Sequence, residues 1–286
     1  MRKIITLNGN AIPSLLTGLK QPPKQLFVEG DLSAILEHPR VAVVGSRKVT
    51  AYGQAVTKQL ASDLARQGIV IVSGLAYGVD GIAHKAALDA GGLTAAVLPT
   101  SLERVHPSLH RQLAQQIVAQ GGALISEYPP SHTTQKGDFV ARNRLVTGIS
   151  DALLITEATE GSGTLHTARY AKQQGKPLLV VPGNITSLSS AGTNWLIQRG
   201  ATLVRSTEDV LNVLGMRKKS RSKIRPVSQN PHEQAILDSL FEGTSDGYEL
   251  LEHSGLDAAQ FGQTLTMLEI QGAIQPLGNN KWMLVK

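Results

Sequence analysis

Three groups of residues carry side chains that a folded core does not need. In the first, Lys136, Phe139, Arg142, Asn143 and Arg144 place three cations, an amide and an aromatic ring within nine residues, and Arg47 offers a further guanidinium in Gly45-Ser46-Arg47. Cations match a phosphate backbone and a ring matches an unstacked base, so this group suits single-stranded nucleic acid. The second group comprises glycine-rich turns: Gly45-Ser46, Gly74 within Ser73–Asp80, and Gly161-Ser162-Gly163-Thr164. Such turns, placed between a strand and a helix, can offer backbone N–H groups to phosphate. In the third, Asp80 and His84 lie four residues apart, and Glu157 and Glu160 flank the last turn. These residues allow an acid–base pair or half a metal site, and equally a helix cap with a local hydrogen-bond partner. No third ligand at metal spacing accompanies them.

Several chemistries are disfavoured by what is missing. The chain has no cysteine, which removes disulfides, thiolate–zinc sites and thiol catalysis and fits a reducing compartment. No segment reads G-x-G-x-x-G, and Gly161–Thr164 lacks the lysine of a P-loop, so neither an ordinary NAD site nor triphosphate hydrolysis is expected. No cofactor is called for. The apolar run at the amino terminus is too short for a signal peptide and no run approaches the length of a membrane span, so the expected location is cytoplasmic.

The elements that must position these residues follow from apolar patterning. Val41–Val44, Ile69–Val72, Thr94–Leu98, Ala123–Ile125, 151–156 and 178–182 are short apolar runs that read as buried strands. Helical stretches separate them, near 52–67, 80–90, 109–120 and from 139 onward, with a further helix, short strand and helix between 191 and 214. Alternation of this kind predicts a mostly parallel, extended Rossmann-like sheet over residues 40–215 with helices on both faces and right-handed crossovers. Residues 1–39, broken by Pro13, Pro22 and Pro23, read as an irregular lead-in. Residues 231–286 read as three short helices and a hairpin, the order of a winged helix.

Net charge divides along the same boundaries. Residues 1–215 hold 20 Lys/Arg against 14 Asp/Glu, residues 216–230 hold six basic residues and no acid, and residues 231–286 hold two basic and eight acidic residues. A polyanion is therefore expected on the main domain and its connector, not on the tail domain.

Taken together, V-G-S-R at 44–47, S-G-L-A-Y-G-V-D at 73–80, A-R-N-R at 141–144, S-D-A at 150–152, G-S-G-T-L at 161–165, V-P-G-N at 181–184 and A-G-T-N-W at 191–195 resemble the DNA-processing protein A (DprA/Smf) family. The resemblance covers about residues 15–215. It implies a cytosolic, commonly dimeric Rossmann-fold protein that binds and protects single-stranded DNA and helps load the RecA recombinase during natural transformation and recombination. It also implies that Arg47, Lys136 and Phe139 grip the strand, that Arg142, Arg144 and Gly161–Thr164 share their pocket, and that no catalysis occurs. The competing reading is a nucleotide-hydrolysing, phosphoribohydrolase-like enzyme with similar turns. Those enzymes place a glutamate in the helix after the turn, and no acid follows Thr164 there. A small-nucleotide sensor would use the same pocket.

Overall fold

The computed structural model describes residues 3–216, 226–228 and 230–285. They belong to two compact units, Met1–Arg217 and Lys218–Lys286. Most of the basic connector read at 216–230 lies outside the described residues.

In the first unit the chain runs β1 Ile4–Asn8, α1 Ser14–Thr17, β2 Gln25–Gly30, α2 Leu32–Leu36, β3 Arg40–Val44, α3 Ala51–Arg66, β4 Val70–Ser73, α4 Val79–Asp89 and β5 Thr94–Leu98. It continues with α5 Arg111–Ala119, β6 Ala123–Ser126, α6 Lys136–Gly148, β7 Ala152–Ile155, α7 Thr164–Gln173, β8 Leu178–Val180, α8 Leu188–Gln198, β9 Thr202–Leu203 and α9 Thr207–Val213. The strands form one nine-stranded sheet in the order β1-β2-β6-β5-β4-β3-β7-β8-β9. It is parallel from β6 to β9, as the continuously apolar strands predict. Alternate residues of each strand enter opposite layers. Ala42 and Val44 join the core that includes Leu145, Val146, Ala168 and Leu196 from α6, α7 and α8. Val41 and Val43 join the core under α3 and α4, with Leu60, Leu64, Ala83 and Ala87. Burying each such aliphatic chain stabilises the fold by about 1.5–3 kcal/mol.

Helix order fixes where a site can lie. The chain moves outward from β3 to β6, then α6 carries it back to place β7 on the other side of β3. The sheet's topological switch is therefore between β3 and β7, and loops leaving the carboxyl ends of neighbouring strands converge on that rim.

The segment read as an irregular lead-in is part of the sheet. β2 pairs antiparallel with β6, and β1 with β2. Leu16, Leu26, Val28 and Ile35 are fully buried, and Asp31 caps α2 by accepting the Ala34 N–H at 3.0 Å. Leu26–Val28 was expected to pack on the main domain; that it does so as a strand depends on a partner almost a hundred residues away. Among the described residues no helix is long and apolar enough to cross a membrane.

The second unit contains α10 Pro231–Glu242, α11 Gly247–Ser254, α12 Ala258–Ile270 and an antiparallel hairpin, β10 Ile274–Gly278 with β11 Lys281–Leu284. Asn230, Asp246 and Asp257 cap the three helices through side-chain oxygens, and Gly243 and Gly255 end the first two in the left-handed conformation. Ile236, Leu237, Leu250, Leu265, Leu268 and Ile274 form its own core.

Candidate nucleic-acid interface

The turns after β3, β4 and β5 and the first two turns of α6 enclose an open cleft of about 280 Å³. Arg47 arrives from β3, Gly74, Ala76 and Tyr77 from β4, Pro99, His106 and Pro107 from β5, and Phe139 and Arg142 from α6. The Arg47 guanidinium lies over the Phe139 ring at 5.7 Å, within range of a cation–π contact. Phe139 also receives the His106 ring edge-on at 5.3 Å, and Tyr77 packs edge-on against His110 at 5.4 Å. Lys136 is exposed at the start of α6, three residues before Phe139 and so on the same side of the helix. A capping box between Gln135 and Asp138 starts this helix, so Arg142–Arg144 lies in its second half rather than at its opening.

Arg142 forms the floor. It is 4% exposed, and its Nη1 donates to the Gly74 carbonyl at 2.7 Å and to the Val97 carbonyl. Its Nε donates to Asn143 Oδ1 at 3.1 Å, which gives Asn143 a supporting part. Burial pulls the guanidinium down to about 10 against the attraction of Asp80, which leaves it cationic at neutral pH. Asp80 accepts the N–H groups of Gly74 and Ala76 at 3.1 and 3.4 Å. Burial raises its carboxyl above the ordinary value, with Arg142 opposing. Between these groups Leu75 takes φ 57°, an unfavourable conformation for a branched side chain. Its side chain is fully buried and its carbonyl accepts from His110 Nδ1 at 2.9 Å. Strain held by packing on one side and hydrogen bonds on the other is the signature of a shaped site.

Arg144 does not share this cleft. Two residues turn a helix by about 200°, and Arg144 points away to pair with Glu127 at 2.6 Å, 8% exposed. The expected pairing of Arg142 with Arg144 in one pocket is thus corrected: both are buried, on different sides of α6.

Two of the three expected phosphate turns are committed to the protein itself. The Ser46 N–H donates to the Glu157 carbonyl at 2.8 Å, and Ser46 Oγ accepts from Lys48 N at 3.1 Å. A Cβ on Gly45 would lie 2.7 Å from both the Glu157 carbonyl and Val79, so this glycine admits protein, not ligand. Gly74 gives its N–H to Asp80, and a Cβ there would collide with the Arg142 guanidinium. Gly161–Thr164 is open: Gly161 has φ 73°, and neither Gly161 nor Gly163 has a neighbour within 4 Å of a built Cβ. That turn, with Ser162 and Thr164, lies outside the cleft.

The acid–base candidates also resolve. His84 bonds Thr94 Oγ1 at 2.7 Å rather than Asp80, and burial lowers it to about 3, so it is neutral. Asp80 holds the 74–76 turn, one residue inside a helix whose cap is Gly78. Glu157 does not serve the following helix; its carboxylate accepts from the Thr50 N–H and hydroxyl at the start of α3. No group of three or more potential metal ligands occurs among the described residues. Sequence reasoning missed Tyr77, His106 and His110. Tyr77 lay within the glycine-rich turn already singled out, while His106 and His110 had no local signal.

Fold and site define an α/β protein with a cationic, aromatic-walled cleft at the carboxyl ends of a Rossmann-like sheet. The family model for DNA recombination-mediator protein A matches residues 3–215, and the chain belongs to that family. Protein Smf of Escherichia coli is 42% identical over 211 residues, 74% of this chain and 56% of that protein. DNA processing protein DprA of Bacillus subtilis is 36% identical over 210 residues, 73% of this chain and 70% of that one. The chain thus spans little more than half the length of the Escherichia coli relative. Among solved structures, DNA processing protein A of Helicobacter pylori superposes with a TM-score of 0.67 at 38% identity, over 75% of this chain and 98% of that one. That structure concerns a single-stranded DNA binding mode. The Streptococcus pneumoniae DprA structure gives 0.68 at 37% identity, over 73% and 74%.

Proposed function

We propose that the cleft binds single-stranded DNA, with Arg47 and Lys136 on the phosphate backbone and Phe139 against a base. The carrying observation is the Arg47–Phe139 stack beside exposed Lys136 at the strand ends. The Helicobacter pylori relative, almost all of which this chain matches, supports the same ligand. Most affinity comes from phosphates, so no extended sequence is read and salt weakens binding steeply. The reading is non-catalytic: among the described residues the carboxylates nearest the turns, Asp80 and Glu157, are occupied by backbone and hydroxyl donors. By family resemblance the bound strand is protected and passed to RecA in the cytoplasm during transformation and recombination. A homodimer accords with the open edge at β9, where Leu203 is exposed, and with exposed Ile185, Leu188 and Trp195 on and before α8.

Anisotropy of a labelled oligo-dT across a salt series tests the site. Arg47→Ala and Lys136→Ala are each expected to weaken binding about tenfold at low salt and to reduce the salt slope by about one. Wild-type affinity in both variants refutes the assignment.

The second unit has the element order of a winged helix, in which the third helix enters a DNA groove. Here the exposed face of α12 carries Ala259, Gln263, Thr266, Met267 and Ile270 and no cation, in a segment with eight acids against two basic residues. We assign this unit to contacts with protein. Removing residues 216–286 is expected to lower oligo-dT affinity by no more than the lost connector charges explain; a larger loss in the same salt series contradicts the assignment.

A further inference from the structure

Resting on the single-stranded DNA reading above, we infer that the cleft selects one nucleobase by its exocyclic carbonyl oxygen, which accepts a hydrogen bond from Arg142 Nη2. Thymine, guanine and cytosine then enter in preference to adenine.

The donors on Arg142 carry the argument. Nε is used by Asn143, and Nη1 by two carbonyls. Nη2 donates to none of the described residues, and it lies against Gly74 where any side chain would collide with it. A guanidinium 4% exposed with one nitrogen unengaged is an incomplete site, because a buried charged donor without an acceptor is costly. The guanidinium lines the cleft, so the acceptor must come from the ligand.

The walls decide which acceptor. Ala76, Tyr77, Pro99, Pro107 and Phe139 present apolar and aromatic surface and few donors. A phosphate group pushed among them would lose its hydration without replacement, whereas a flat base loses little. The innermost space is about 20 Å³, room for one water-sized group and no more. A projecting carbonyl oxygen fits that recess. Thymine and guanine present one in the position where adenine presents an amino group, a donor that would face the Arg142 donor. Adenine ring nitrogens accept but do not project. Cytosine retains its second carbonyl.

Equal-length oligo-dT, oligo-dA, oligo-dI and abasic strands, bound to the full chain in parallel titrations, test the inference. Hypoxanthine keeps the purine shape of adenine and replaces the amino group by a carbonyl, so oligo-dI against oligo-dA isolates the one atom at issue. Oligo-dT and oligo-dI are expected to bind about tenfold more tightly than oligo-dA, the equivalent of one charge-assisted hydrogen bond, and the abasic strand more weakly than oligo-dT. Arg142→Lys, with its melting temperature checked, is expected to erase the difference between oligo-dI and oligo-dA. Equal affinity for those two strands in the wild type overturns the inference, and an abasic strand that matches oligo-dT shows the cleft to hold phosphate. In either case a loss on Arg47→Ala leaves the single-strand reading standing; absence of binding to every strand defeats both.

Discussion

Replacing Arg142 by methionine is expected to lower the unfolding free energy of the amino-terminal unit by about 3–5 kcal/mol, the usual result of removing one partner from a buried charged pair. Methionine fills much of the space, so the loss is not mainly a cavity. It comes from the groups left behind: the Gly74 and Val97 carbonyls lose their donor, and the Asp80 carboxyl loses the cation that opposes its desolvation. The deficit should depend on pH with a definite sign. Burial already holds Asp80 above its ordinary value of 3.8, and Arg142 pulls it down. Without Arg142 it rises further. A carboxyl raised on folding favours the folded state when protonated, so its stabilising contribution is present below about pH 4 and is lost as pH climbs toward the folded value. The variant should therefore be nearest to wild type in acid and fall behind as pH rises. Denaturant melts at a series of pH values read this directly; a deficit that does not grow with pH contradicts the account of Asp80.

The same residues show what a sequence can and cannot disclose about this site. Val41–Val44, Thr94–Leu98 and Ala152–Ile155 are apolar on both faces, and a parallel, two-layered sheet follows from them without further knowledge. β2 has the same content, yet its place was hidden because it is fixed by β6, a partner far along the chain that no local pattern announces. Arg47, Lys136 and Phe139 were legible as a group because type and order alone mark them. Arg142 and Arg144 were not separable by composition, although their spacing held the answer: residues two apart do not share a helix face. The glycines misled for a different reason. Gly45 and Gly74 do make room for a close approach, but the approaching groups are the Glu157 carbonyl, Val79 and the Arg142 guanidinium. A sequence shows that a side chain is missing, not what occupies its place.

Gly78→Ala is the substitution expected to act most strongly through that kind of contact. Gly78 precedes α4 with φ 76° and ψ −126°, a region that costs other residues about 1–3 kcal/mol. A Cβ there would also run into the Ser46 carbonyl and lie 2.8 Å from the Arg47 carbonyl. Those atoms are backbone, in a turn pinned by the Val79 N–H on the Ser46 carbonyl at 3.1 Å and by the Ser46 N–H on Glu157. The turn must move as a piece, and it carries Arg47. Gly68 supplies the control: its φ is 78°, and nothing lies within 4 Å of a built Cβ. Gly68→Ala should cost about 1 kcal/mol, the conformational part alone. Gly78→Ala should cost at least about 3 kcal/mol and weaken oligo-dT binding at least as much as Arg47→Ala, though Gly78 has no side chain to offer DNA. Denaturant melts and anisotropy titrations on the pair separate the two effects. If the two alanine variants are equally stable, the β3 turn is free to yield and does not hold Arg47 in place. If Gly78→Ala is the less stable but binds oligo-dT normally, Arg47 reaches the strand from more than one turn geometry.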